Sequence, residues 1–147
     1  AVVYTPNEPE QLKALGYDIN LFTVSEVTTM VGNGLITNEQ LIAENPELVQ
    51  RMVSAFVKSI QYTRENPEEA FEICTHFVDG LADAEDQDLQ MQVLLRSADY
   101  YDAGPYGYGF SDPEAWENMG ELLQEMGMVS EKTDVSAAYL NAFVPAN

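Results

Sequence analysis

Residues 1–37 read AVVYTPNEPEQLKALGYDINLFTVSEVTTMVGNGLIT, and the fold class turns on them. Residues 1–4 are an apolar run of strand length, and residues 9–15 follow as a short helix with Pro9 in its first turn and Gly16 as its stop. Residues 18–24 hold Ile19, Leu21, Phe22 and Val24, the branched and aromatic types that suit a pleated surface. A third short run, residues 35–37, comes after Gly32-Asn33-Gly34. Strand, helix, strand and a glycine joint predict an α/β fold: a few short strands followed mostly by helices. The apolar run at residue 1, with no turn or cap ahead of it, further predicts that the chain opens inside a structural element.

From Asn38 onward the signals are helix starts. Asn45-Pro46, Asn66-Pro67 and Asp112-Pro113 each set a capping side chain before a proline, which satisfies orphan amides and presets the first helical φ. Over residues 46–65, Val49, Met52, Val53, Phe56 and Ile60 recur at spacings of three and four, predicting one core-facing stripe. Residues 67–78 and 86–101 read as two further helices. Trp116, Met119, Leu123 and Met126 line one face of another before Gly127 ends it. Residues 135–143 read as a short last helix.

Composition bounds the partners. Of 147 residues, 46% are hydrophobic and 21% charged, enough apolar material for one globular core. Twenty-five acidic residues against six basic give a net charge of −19, so nucleic acid and anionic membranes meet repulsion. The acids are spread through amphipathic segments, as a solvated surface requires. One cysteine, Cys74, excludes an intrachain disulfide and a cysteine-based zinc site. No stretch approaches the roughly 18 consecutive apolar residues of a membrane span.

No catalytic constellation is legible. Cys74 and His76, two apart, point to different faces of a helix. Gly32-Asn33-Gly34 lacks the third glycine and the lysine of a nucleotide loop and reads as a flexible joint. The acidic run over residues 79–88 is interrupted by Leu81 and Ala84, which breaks calcium-loop spacing, so no metal is assigned. No cofactor is assigned either. Residues 100–110 gather four tyrosines and Phe110 among glycines, either a ligand-stacking loop or an aromatic cover for the core. Asn7-Glu8-Pro9 is singled out because it would lie at the carboxyl end of a strand, the edge where α/β sheets bind ligands, and Glu8 there can accept hydrogen bonds from an amino group.

Taken in order, VYTPNEPEQL at residues 3–12, TVS at 23–25, VGNGLITN at 31–38, ENPELV at 44–49, YTRENPEEA at 62–70 and SDPEAWENM at 111–119, continuing through 127–135, are similar to the second half of solute-binding proteins for thiamine-pyrimidine precursors and riboflavin. The resemblance implies part of a type II periplasmic-binding-protein fold: residues 1–30 a remnant of the second lobe, 31–37 the hinge crossing, 38–147 the helical part of the first lobe. It also implies a small heterocyclic ligand held between lobes, delivery to the membrane subunits of an ABC importer, an extracytoplasmic location, and no catalysis. Carried over by position, Tyr4, Asn7 and Glu8 are the ligand-binding candidates, and Asn33 and Gly34 the hinge. Trp116 matches a recurrent family tryptophan, although its helical phase suits packing. Two other readings stand beside this one: a pyrimidine-synthase-like enzyme of the same fold, and an acidic helical interaction module. Strands left without neighbours would also invite self-association.

Overall fold

The computed structural model describes residues 1–129 and 133–146, and among them every regular element is helical. The α-helices are α1 (Glu8–Ala14), α2 (Glu39–Glu44), α3 (Pro46–Glu65), α4 (Pro67–Thr75), α5 (Gln87–Ala98) and α6 (Pro113–Glu125), with 3₁₀ turns at Val24–Glu26 and Val135–Ala137. The expected α/β class is therefore wrong for this chain. Residues 18–22 and 30–37 carry no hydrogen bond among the described residues, and Val24 to Glu26 close a tight turn in place of a strand end. The physical reason is that a strand satisfies its amides only through a neighbour, and stable sheets take three or more strands with a covered face. Runs this short find no such neighbour here: Val2, Phe22 and Ile36 are 102%, 90% and 98% exposed. The edge-pairing argument for self-association falls with the strands.

The helix starts fared better because their chemistry is local. Asn45 accepts from the Leu48 amide at 3.2 Å and Asp112 from the Glu114 amide at 3.0 Å, and α3 and α6 begin at the prolines that follow them. Asn38 caps α2 by accepting from the Leu41 amide at 2.8 Å. Asn66 is different: its carboxamide donates back to the Tyr62 carbonyl in the last turn of α3 at 3.3 Å and does not cap α4. Gly16 and Gly127 end α1 and α6 with φ of 84° and 68°, the left-handed values that favour glycine. The helix expected over residues 135–143 shortens to the three-residue turn Val135–Ala137, held by Asp134 accepting from Ser136. Residues 130–132, within the resemblance at 127–135, lie outside the described residues.

The chain divides into two units. The first, Ala1–Phe22 with Lys58–Ala103, packs α5 against α1 and α4. Pro9 is its most deeply buried large side chain, and Ala70 and Ala98 are buried with it. Arg64 reaches the Tyr101 carbonyl and lies 3.8 Å from Asp102.

The second unit, Thr23–Val57 with Gly104–Asn147, holds α6 against the turn Val135–Ala137. Trp116 stacks on Tyr139, ring centres 5.4 Å apart and planes 15° from parallel. Asn141 clamps Ser111 from both sides, accepting from its amide at 2.8 Å and donating to its carbonyl at 2.9 Å. On α3, Val49 is buried and Val53 half-buried as expected, whereas Met52 and Phe56 stand 57% and 39% exposed. Gln50, Ser54 and Val57 take the half-buried positions instead. Gln50 does so because its carboxamide donates to the Phe143 carbonyl at 2.8 Å, and Val57 because Gly109 presents no side chain against it.

Candidate functional site

Three of the sequence-derived site residues meet in one turn of the first unit. Pro6 and Pro9 restrict φ on either side of Asn7, and the chain turns so that the Asn7 amide donates to the Tyr4 carbonyl at 3.0 Å. Glu8 then reaches back to accept from the Tyr4 amide at 3.1 Å. Asn7 offers its side-chain oxygen to the Gln11 carboxamide at 2.8 Å, one helical turn ahead. Tyr4, Asn7 and Glu8 are thus brought together, at the head of α1 and not at a sheet tip. The Tyr4 ring is mostly exposed, and the local bonds fix both acceptor groups without burying them.

The charge behind this turn is balanced. Glu10 accepts from Lys13 at 2.8 Å and lies 3.9 Å from Arg96 on α5, which in turn sits 3.8 Å from Asp99. The Lys13 hydrogen bond, helped by the charges of Lys13 and Arg96, holds the Glu10 carboxyl below the usual glutamate range. Beside it opens a groove of about 360 Å³ lined by Glu10, Gln92, Leu95, Arg96 and Asp99. Sequence reading missed Glu10 and Arg96, since a contact between residues so far apart in the chain leaves no local signal.

The other expected residues stand apart. Asn33 and Gly34 lie in the irregular stretch before α2, inside the second unit, and neither Gly32 nor Gly34 adopts a left-handed backbone. In the aromatic loop Tyr106 and Phe110 pair in a tilted arrangement, ring centres 4.6 Å apart. Cys74 is exposed on α4, and His76 follows that helix as its carboxyl-terminal cap. Among the described residues no three histidine, cysteine or carboxylate side chains converge on a common point. Nor is any described helix long and apolar enough to cross a membrane.

Residues 1–70, which contain the Tyr4–Glu8 turn and the stretch with Asn33 and Gly34, match the family model described as NMT1/THI5 like. Over those residues the chain is similar to that family. It is similar to the riboflavin-binding protein RibY of Chloroflexus aurantiacus, 36% identical over 148 residues, which cover 99% of this chain and 42% of that protein. It is also similar to the 4-amino-5-hydroxymethyl-2-methylpyrimidine phosphate synthase of Legionella pneumophila, 25% identical over 106 residues, 72% of this chain and 31% of that protein. The chain therefore spans less than half the length of either relative.

Proposed function

We propose that the chain is part of a solute-binding protein for a small, flat heterocycle, of the kind represented by riboflavin or an aminopyrimidine, and that it catalyses no reaction. The observation that carries this reading is the 36% identity to a riboflavin-binding protein along 99% of the chain. In this reading Tyr4, Asn7 and Glu8 contact the ligand: an exposed ring for stacking, a carboxamide, and a carboxylate able to accept from ring N–H or amino groups. The residues around Asn33 and Gly34 serve as the hinge crossing, and the whole protein works outside the cytoplasm, passing its ligand to the membrane subunits of an ABC importer. The net charge of −19 favours an unphosphorylated solute over its phosphate ester, since a long-range negative field slows the approach of anions.

The similarity to a pyrimidine phosphate synthase supports a second reading, an enzyme of the same family. Against it stands the chain's poverty in groups for that chemistry, one exposed cysteine and one histidine. Fluorescence titration of the full-length gene product with riboflavin and with 4-amino-5-hydroxymethyl-2-methylpyrimidine, followed by chromatography of the recovered ligand, separates the two. Saturable binding with unchanged ligand supports transport. Turnover, or no binding of either compound, refutes it. Glu8→Gln is expected to weaken binding about tenfold, the magnitude of a charge-assisted hydrogen bond.

A further inference from the structure

Asn33 is the only asparagine of the chain that is followed by a glycine. The pair lies in the irregular stretch between the turn Val24–Glu26 and α2, within the second unit, and both residues are exposed. Neither forms a hydrogen bond among the described residues, and a Cβ built on Gly34 meets nothing within 4 Å. This matters because an asparagine carboxamide is one ring closure away from the amide nitrogen of the next residue, which makes asparagine one of the chemically labile side chains. That nitrogen reaches Cγ only if it has a proton to give up, room beside it, and a backbone free to turn.

The other internal asparagines fail these conditions. Asn45 and Asn66 precede prolines, whose nitrogens carry no proton. Asn7, Asn38, Asn118 and Asn141 have their carboxamides held in hydrogen bonds at 2.8, 2.8, 3.2 and 2.8 Å, and each precedes a residue whose side chain crowds the attacking nitrogen. Asn20 precedes the branched Leu21.

We propose that Asn33-Gly34 is a self-modifying site, at which the asparagine converts through a cyclic imide to aspartate and isoaspartate. The Gly34 nitrogen bonds to Asn33 Cγ, the Cγ–Nδ2 bond breaks, and Nδ2 leaves as ammonia with the proton that the nitrogen gave up. Water then adds to one of the two ring carbonyls. Opening at Cγ breaks the new bond and leaves aspartate. Opening at the main-chain carbonyl of Asn33 breaks the original peptide bond and leaves isoaspartate, with the main chain routed through Cβ and Cγ. Water is the only co-reactant. Each event adds one negative charge to a chain already at −19, and the isoaspartyl form lengthens the backbone by one methylene just ahead of α2. The chemistry is independent of the hinge role proposed above.

The test incubates the chain at neutral pH, folded and in urea, and follows every asparagine by peptide mass spectrometry, with isoaspartate scored by enzymatic methylation. In the folded chain Asn33 is expected to gain acid at least about tenfold faster than any other asparagine. The product is a mixture of aspartyl and isoaspartyl forms, whereas direct hydrolysis of the carboxamide gives aspartate alone. Urea accelerates Asn33 by less than about threefold, because the fold already leaves this segment unrestrained. Gly34→Ala slows the reaction at least about tenfold by crowding the nitrogen. That variant keeps the fold, as circular dichroism would verify, since its Cβ enters open space and Gly34 has no left-handed backbone. Asp79-Gly80 forms the same ring but isomerises without a change of mass, so it does not confuse the reading. A rate at Asn33 short of that margin, aspartate as the sole product, a larger acceleration in urea, or a smaller effect of Gly34→Ala would overturn the proposal.

Discussion

Replacing Gly109 by alanine isolates the packing of the second unit in one methyl group. Gly109 has φ of +82°, and a Cβ built there lies 2.8 Å from Val57 Cγ2. Two penalties follow. An alanine held in the left-handed region costs about 1–2 kcal/mol, and forcing a carbon into a gap this small costs about 1–3 kcal/mol in displaced neighbours. The total expected for Gly109→Ala is about 2–5 kcal/mol, a large share of the stability of a domain this size. A double-mutant cycle separates the two parts. Val57→Ala alone removes methyl groups from a half-buried position and costs about 1 kcal/mol. Combined with Gly109→Ala it removes the collision but not the backbone strain, so the double variant is less destabilised than the sum of the singles by about 1 kcal/mol or more. Trp116, the lone tryptophan, is stacked on Tyr139 in the same unit and reports urea unfolding directly. A Gly109→Ala loss below about 0.5 kcal/mol, or a double variant that is merely additive, would refute this packing of Gly109 on Val57.

Three further outcomes follow from the same physics. At Gly120, inside α6, an added Cβ meets Val135 Cγ1 at 2.8 Å, so Gly120→Ala is expected to destabilise despite its gain of up to about 1 kcal/mol in helix propensity. In a Val135→Ala background the same change becomes stabilising, which thermal melts of the four proteins would show. Asn141→Ala removes both clamps on the Ser111 backbone and should cost about 1–3 kcal/mol, read by urea midpoint with an unchanged denaturant slope. Glu10→Gln makes stability less dependent on acid. Because the folded protein holds Glu10 below its unfolded value, the carboxylate's contribution is complete above the ordinary glutamate pKa of about 4.3 and fades as pH falls through the lower folded value. Wild type should therefore exceed the variant at pH 7, and the two should converge at low pH; a constant difference from pH 7 to pH 3 would contradict the pairing with Lys13 and Arg96.

What the sequence revealed tracks how local each interaction is. The start of α3 was legible because Asn45 and Pro46 act within one turn, and the end of α6 because Gly127 alone supplies the left-handed residue. The strands were misread because the apolar runs at residues 1–4, 18–24 and 35–37 have strand composition, while a strand exists only through a partner that composition cannot supply. The α3 stripe was half legible. Apolar residues occupy both sides of that helix, and distant groups, the Phe143 carbonyl for Gln50 and Gly109 for Val57, decided which side turned inward. The helix expected after residue 135 fails for a similar reason, with Tyr139 committed to Trp116 and Asn141 to Ser111. As for the candidate site, adjacency in sequence did bring Tyr4, Asn7 and Glu8 together, but at the head of α1, with no strand tip among the described residues.

Similarity to the NMT1/THI5-like family and to a riboflavin-binding protein makes solute binding the claim on which the functional account stands. Its most direct test is a fluorescence titration of the full-length gene product with riboflavin and with 4-amino-5-hydroxymethyl-2-methylpyrimidine and, in parallel, with riboflavin phosphate. The account predicts saturable quenching at one ligand per protein for the neutral compound, weaker binding of the phosphate, and unaltered ligand on recovery. Quenching that never saturates for riboflavin and the aminopyrimidine alike would contradict it.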